Sequence, residues 1–590
     1  MGTGELLLAL APGLPAAVAV LWLFPRARGG LVALAPWAAV PALLLALLPG
    51  APGTTLAVPT LFTGLHLEVD DVGRAFLLLT ALLWVAAGAF ARSYHRDDEG
   101  REGFFGFFAL TMTGNLGLVL AGDILSFYLF FALMTFAGYG LVIHNRDGTA
   151  FRAGRIYIVM AVLGELCLLA ALFTLGWSFG GIPAFGFDLD LAWEGLIGEG
   201  RAGVVAILVA GGFGVKAGLA PLHLWLPLAH PVAPTAASAL LSGAMIKAGL
   251  LAWLRFLPMD AGLPGLGLLL VVLGVGAAFY GVVVGLAQDD PKTILAYSSV
   301  SQMGYMALGT GLLLLTPDRP GTALVAVVLY ALHHGVAKGA LFLSVGVADR
   351  TGAGSDRVWP RLLLILAALP ALALAGAPLT TGVLAKGALK EVLPGLVPAW
   401  YPVLDPLLLV AALGTTLLLA RFLVRLRGRM GGGEEEVPWG LVVPWGLLVL
   451  AGVLGPLWHP LAYPVPEGVE LPGVTHDLAS AAWPVVVGAV LAWMIWRRPR
   501  ILGPLAGFRL PAGDLVVPLE RGARWAGSRP VRRVLEGSLG GAARLRRTQV
   551  WSHARAAWLA ERDLFLARGP VVGVMIFVLA LGIVAALLLS

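Results

Sequence analysis

The stretch GVKAGLAPLHLWLPLAHP, Gly214–Pro231, sets one lysine inside an apolar run and then interrupts that run with three prolines. A lysine at the centre of a membrane-spanning helix costs about 2.5–3.5 kcal/mol on insertion scales. A helix broken by proline must also find new partners for the carbonyls it frees. In a membrane protein both costs are tolerated where irregular backbone lines a cavity, so this stretch reads as the wall of a polar site rather than as lipid-facing helix.

The rest of the sequence agrees that a bilayer surrounds it. Of 590 residues, 59% are hydrophobic and 13% charged, with net charge +6. Soluble domains carry about 25% charged residues. At about 20 apolar residues per span, roughly sixteen segments qualify. Two-residue alternation is absent, which argues against a transmembrane barrel. The first segment, residues 5–24, lacks a basic leader and reads as a retained helix. The fold expected is all-α: a polytopic membrane protein of about sixteen helices, with two inverted five-helix repeats, broken helices and a C-terminal lateral amphipathic segment. Its parts are expected at 1–103 (N-terminal helices), 104–257 and 258–430 (the repeats), 431–496 (accessory helices), 497–569 (lateral segment) and 570–590 (last span).

Basic residues sort onto alternate loops. Arg26 and Arg28, Arg92, Arg96 and Arg101, Arg146, Arg152 and Arg155, Lys292, Arg350, Arg357 and Arg361, Arg421 to Arg429, and Arg497 to Arg500 fall on one side, with Arg201 and Arg319 among the few exceptions. The positive-inside rule makes that side cytoplasmic and turns both termini outward. Lys292, next to a helix start, is expected to snorkel. The lateral segment, basic but not apolar enough to span, has two readings: a helix lying along the cytoplasmic face, or a solvated tether.

An internal echo supports the repeats. KAGLAPLH (Lys216–His223) and LAGAPLTT (Leu374–Thr381) share Ala-Gly followed by Ala-Pro-Leu inside a broken helix, about five spans apart. An odd number of spans per copy forces opposite orientations, the arrangement found around membrane transport sites.

Ionisable residues recur at membrane depth: Lys216, Lys247, Glu165, His333, His334, Lys338 and Lys386. Lysine is the cation whose proton affinity burial changes most readily, and histidine titrates near neutrality. A file of such groups joined by water is what proton movement along the membrane midplane requires. His334 and Lys338, four residues apart, share a helix face. His333 points about 100° away and reads as a packing residue.

GGFGVKAGLAPLHLWLPLAHPVAPTAASALLSGAMIKAGL, DDPKTILAYSSVSQMGYMALG and HHGVAKGALFLSVG resemble the proton-translocating antiporter-like subunits of respiratory complex I, of Mrp-type antiporters and of membrane-bound (group 4) hydrogenases. The resemblance runs from about Phe104 to Arg429. It implies that Lys216 is the lysine paired with an acid on the fifth helix, Lys247 the central relay, His334 and Lys338 the linking groups, and Lys386 the outward terminus. One position departs: the family's fifth-helix glutamate falls on Ala132 in SFYLFFALMTFAGYG. Glu165, mid-membrane on the following helix, is the candidate replacement. The competing reading is a neutral Glu165 bonded to a backbone carbonyl.

Cys167 is the lone cysteine, which excludes an intrachain disulfide and a Cys-ligated cluster. Paired haem histidines and a phosphate-cradling loop are missing from the sequence, so no cofactor is expected, and nucleic acid is not an expected partner. The leading expectation is an ion-translocating subunit, moving H⁺ or exchanging Na⁺ for H⁺, within a multisubunit complex of the cell inner membrane. Its partners are other membrane subunits and a cytoplasmic redox or metalloenzyme module, and any enzymatic role would be that of a non-redox translocase subunit. Against it stands a membrane anchor that has lost transport, which Ala132 favours. A haem or quinone redox subunit is a third reading, weakened by the missing ligands.

Overall fold

The computed structural model describes residues 2–58, 64–185, 187–316, 320–352, 358–396, 399–432, 436–463, 478–497, 510–513 and 515–518. The helices below lie in a unit made of residues 1–58 and 65–512; of the second unit, 59–64 and 513–590, only Gly64, Gly513 and 515–518 are described. The expected lateral segment and last span therefore lie outside the described residues, apart from 497, 510–513 and 515–518.

Helix α1 (Thr3–Leu21) is followed by α2 (Arg28–Leu34) and α3 (Val40–Leu47), which 3-10 turns join into one span, Pro25–Leu47. Then come α4 (Asp71–Tyr94), α5 (Arg101–Val119), α6 (Ile124–Val142), α7 (Gly148–Phe179), α8 (Phe187–Gly198), α9 (Ala202–Ala217) and α10 (Leu226–Val232). Helices α11 (Thr235–Leu240) and α12 (Ile246–Phe256) form one span through a π turn at Leu241–Met245. The series continues with α13 (Pro264–Leu286), α14 (Pro291–Leu315), α15 (Pro320–Asp349), α16 (Val358–Ala375), α17 (Thr381–Leu396) and α18 (Tyr401–Arg427). Helices α19 (Trp439–Val453), α20 (Gly455–Ala462) and α21 (Leu478–Arg497) follow. Aspartates open several of these helices: Asp123, Asp147 and Asp290 accept the N–H of the residue three ahead at 2.8, 2.7 and 2.8 Å.

Two features add detail to the expected fold. The described residues are mostly helical, as expected, with one short hairpin in which β1 (Thr55–Val58) and β2 (Leu65–Glu68) pair antiparallel, Leu56 opposite Leu67. The hairpin closes over the start of α6, where the His66 N–H donates to Ser126 Oγ at 3.2 Å. Among the described residues ten helices are long and apolar enough to cross a membrane, and others of the sixteen segments read from the sequence fall in shorter or more polar helices or outside the described residues. Helix α14 is not one of the ten although it is 25 residues long, because it turns Ser298, Ser299, Ser301 and Gln302 into the protein. Helices α9 and α19 are apolar but short.

Burial grades from the rim inward. Of the most apolar window, 28% is buried in α1 but 94% in both Thr235–Phe256 and α15, so the helices carrying Lys247, His334 and Lys338 are central. Helices α13 and α14 approach backbone to backbone: a Cβ on Gly267, Gly274 or Gly281 would lie within 2.7 Å of the carbonyl oxygens of Gly311, Gly304 and Tyr297. Helix ends meet in two sets. Arg255, near the end of α12, donates to Asp70 Oδ2 at 2.7 Å, just ahead of α4, and to the carbonyls of Val119 and Ala121 at the end of α5. In the other set Arg350 donates to the Tyr94 carbonyl at 3.1 Å, and Arg421 to Asp289 Oδ1 at 3.0 Å.

The two breaks have the same local geometry. Helix α9 stops at Gly218 (φ +71°) and α16 at Gly376 (φ +89°), the glycines of the shared Ala-Gly pair. In each, the next residue donates back across the turn, Leu219 to the Gly214 carbonyl at 3.1 Å and Ala377 to the Leu372 carbonyl at 3.0 Å. This is the six-to-one bond of a Schellman cap, which needs a left-handed residue that glycine supplies without a Cβ penalty.

Candidate functional site

The first break puts Lys216 on the last turn of α9, with its side chain buried. Its Nζ donates to Tyr157 Oη at 3.2 Å, and Tyr157 donates to the Thr135 carbonyl at 2.7 Å. The Val215 carbonyl, which also accepts the Gly218 N–H at 3.2 Å, is taken by Trp225 Nε1 at 2.7 Å. Trp225 and Tyr157 also present ring faces to the ammonium, 5.9 and 5.5 Å from it.

Glu165 lies two helical turns beyond Tyr157 on α7, and both of its carboxylate oxygens are buried without a hydrogen bond from a protein group within normal geometry. Its electrostatic neighbours are Tyr128 on α6 and Lys216. Glu165, Lys216, Tyr157, Thr135, Phe131 and Trp225 line one cavity, with about 20 Å³ open to water centres. A water needs roughly 10–15 Å³ of such space. The acid and the lysine thus share a chamber with room for one bridging water.

The next group is central. Gly249 lets α12 cross α9 closely, since a Cβ there would meet Ala217 N at 2.6 Å. The Ser242 carbonyl, within the π turn at Leu241–Met245, accepts Lys247 Nζ at 2.7 Å. Lys247 Nζ also meets His334 Nδ1. Lys338 donates to the Leu295 carbonyl at 2.8 Å, which Ser299 Oγ also approaches at 3.0 Å, and Ser299 pairs with Ser242 Oγ at 2.7 Å. Lys338 and Ser299 thus share the Leu295 carbonyl, Ser299 bonds Ser242, and the Ser242 backbone carbonyl takes Lys247 beside His334, a wholly buried polar series relayed in part by backbone carbonyls.

The third group surrounds the second break. Lys386 Nζ donates to the Ala375 carbonyl at 3.1 Å and lies 5.3 Å from the Tyr305 ring centre. Tyr305 stacks on Tyr330, and Tyr330 donates to Gln302 Oε1 at 2.8 Å. His333 Nδ1 pairs at 2.6 Å with Thr381 Oγ1, the first residue of α17. Lys386 is partly exposed, unlike the other lysines of the file.

The structure brings Glu165 and Lys216 together, joins Lys247, His334 and Lys338, and sets Lys386 apart. His333 does more than pack, because it links the central helix to the broken α17. Lys292 does not snorkel: it is 8% exposed and donates to the Ala233 carbonyl at 2.7 Å. Tyr157, Ser242 and Ser299 were not expected from the sequence. The four- and eight-residue spacing of Tyr157, Ala161 and Glu165 along α7 was the available signal for the first.

Residues 121–393 match the family described as NADH:quinone oxidoreductase/Mrp antiporter, transmembrane. Hydrogenase-4 component B of Escherichia coli is 33% identical over 302 residues, 49% of this chain and 44% of that protein. A component of the Na(+)/H(+) antiporter of Alkalihalophilus pseudofirmus is 28% identical over 343 residues, 55% of this chain and 66% of that protein. The chain thus spans about half the length of the curated relatives it matches. Among solved structures, the Mrp complex from Dietzia sp. DQ12-45-1b superposes with a TM-score of 0.69 at 25% identity, covering 99% of this chain and 62% of that one.

Proposed function

We propose, from the match of residues 121–393 to the NADH:quinone oxidoreductase/Mrp antiporter family, that this chain is the ion-translocating subunit of a multisubunit membrane complex. It moves H⁺ along the midplane through Lys216, Lys247, His334, Lys338 and Lys386. The observation that carries the reading is the buried polar series from Lys338 through Ser299 and Ser242 to Lys247 and His334, flanked by a lysine at each of two broken helices. A buried lysine is costly unless its charge is partnered or its proton can leave. Apolar residues of the same size would serve packing alone. The arginine-bearing face is the cytoplasmic one, in the cell inner membrane, which turns the N-terminus outward. The two breaks belong to inverted repeats, residues 104–257 and 258–430. A cytoplasmic redox or metalloenzyme module, or an opposing Na⁺ gradient, supplies the drive.

The competing reading, an anchor without transport, rests on Ala132. Glu165 answers it in part, because it brings a carboxylate to the Lys216 chamber from α7 instead of α6. Proton uptake by proteoliposomes containing the purified complex, with H⁺ and Na⁺ gradients imposed separately, decides between them. Absence of flux under both gradients leaves the anchor.

Lys386 tests the direction of the path. On this reading Lys386 is the outward end, where an ionisable group is needed but its sign is not fixed; its partial exposure supports the assignment. Lys386→Glu is expected to keep a measurable part of the flux, and Lys386→Leu to lower it about 10²-fold or more. Equal flux in the two variants would show that ionisation there is irrelevant.

A further inference from the structure

Away from the lysine file, His95, Asp98 and His144 gather at the arginine-bearing ends of α4 and α6. His95 Nδ1 and His144 Nε2 each lie 2.7 Å from Asp98 Oδ2, and the two side chains are 3% and 8% exposed. The second carboxylate oxygen, Oδ1, accepts the Gly100 N–H at 2.7 Å, which fixes the direction in which Asp98 points. Gly100 also keeps the space open: a Cβ there would lie 3.0 Å from His144 Cε1 and 3.1 Å from Asp98 Oδ1. One atom from each of the three side chains falls within 4.8 Å of the others.

We propose that His95, Asp98 and His144 form a binding site for a divalent transition-metal cation of the Zn²⁺ class, pinning the α4–α5 loop to the end of α6. Two imidazoles and one carboxylate, with a position left for water, are a donor set for zinc and its neighbours, whereas Mg²⁺ and Ca²⁺ require oxygen ligands. Asp98 is 33% exposed, which provides both the way in and the water. Metal–ligand lengths of about 2.0–2.2 Å are reached by a small outward movement of the two rings.

The site also carries a built-in weakness. When Nδ1 of His95 binds metal, its ring proton moves to Nε2, which is buried with no hydrogen-bond partner in the protein. Metal-bound histidines ordinarily donate that proton to an acceptor, and loss of such a partner weakens binding about 10–100-fold. The expected affinity is therefore micromolar, that of a reversible regulatory site and not of a permanent structural one.

The test uses the purified full-length chain in detergent, stripped with chelator and titrated with Zn²⁺ against a chromophoric zinc indicator. One site of micromolar dissociation constant is expected, weakened about tenfold or more in both His144→Gln and Asp98→Asn and unaffected by millimolar Mg²⁺ or Ca²⁺. Co²⁺ should give a visible absorption band that Zn²⁺ removes. Thermal melts without metal establish that each variant folds, and if one does not, the other together with the Co²⁺ band carries the comparison. Zn²⁺ binding weaker than about 100 µM, or equal in wild type and in the folded variant, overturns the proposal and leaves a hydrogen-bonded clasp between two helix ends.

Discussion

Lys216→Met leaves the protein folded and stops ion transport. Methionine keeps the apolar stem and removes the ammonium, whose one side-chain hydrogen bond in the structure is to Tyr157 Oη at 3.2 Å. Removing a buried cation and replacing it with a group of similar length relieves desolvation, so the fold is not expected to suffer. The break itself is independent of the charge, because Gly218 and the Trp225 indole hold it. Transport has no such reserve. Without an ionisable group at the first break, the Glu165 chamber has nothing to exchange a proton with, and flux should fall about 10²-fold or more. Proteoliposomes loaded with a pH-sensitive dye supply the measurement, alongside a thermal melt of the same preparation. Flux at the wild-type rate would remove Lys216 from the path.

The second large effect concerns the acid. Glu165→Gln is expected to lower flux at least about tenfold, and adding Ala132→Glu to restore it to within a few-fold of wild type. Position 132 lies one helical turn from Tyr128, an electrostatic neighbour of Glu165, and between Phe131 and Thr135, which line the chamber. A carboxylate there reaches the same volume from α6. The alternative of a carboxyl held by a backbone carbonyl finds no support in the geometry, since neither oxygen of Glu165 meets such a group. Normal transport by Glu165→Gln, measured in the same liposomes, would end the substitution idea, and failure of the double variant would confine it to α7.

How much of this could be read beforehand depended on the kind of signal. The breaks were legible because Gly and Pro punctuate backbone locally: Ala-Gly-Leu-Ala-Pro at Ala217–Pro221 and Ala-Gly-Ala-Pro at Ala375–Pro378 each produced a left-handed glycine. The depth of Lys216, Lys247 and Lys338 was legible because charge in an apolar run is rare. What lay hidden were relations between distant segments. Ser242 and Ser299 are 57 residues apart and unremarkable in composition, yet they join Lys338 to Lys247. His333 reads as surplus beside His334 because its partner, Thr381, is on another helix. His95, Asp98 and His144 meet only because α4 and α6 end at the same level. Hydropathy alone also passes over α14, which is 25 residues long but turns its serines and Gln302 into the protein instead of toward lipid. The hairpin escaped notice because strands of four residues leave too short an alternation to read.

The π turn at Leu241–Met245 has a consequence for how this protein tolerates change. A π turn is an α-helix carrying one residue more than its register needs. Substitutions anywhere along α11 and α12 keep the chain length and leave that surplus in place. Loss of a single codon between Leu241 and Met245 would let the helix close into uninterrupted α geometry and swing everything after it by about 100°. Lys247 would turn away from His334 and from the Ser242 carbonyl. The phase of this helix is therefore vulnerable to deletion and insensitive to point mutation, so lineages that shed the extra residue would keep a span of nearly the same hydropathy while disconnecting their central lysine.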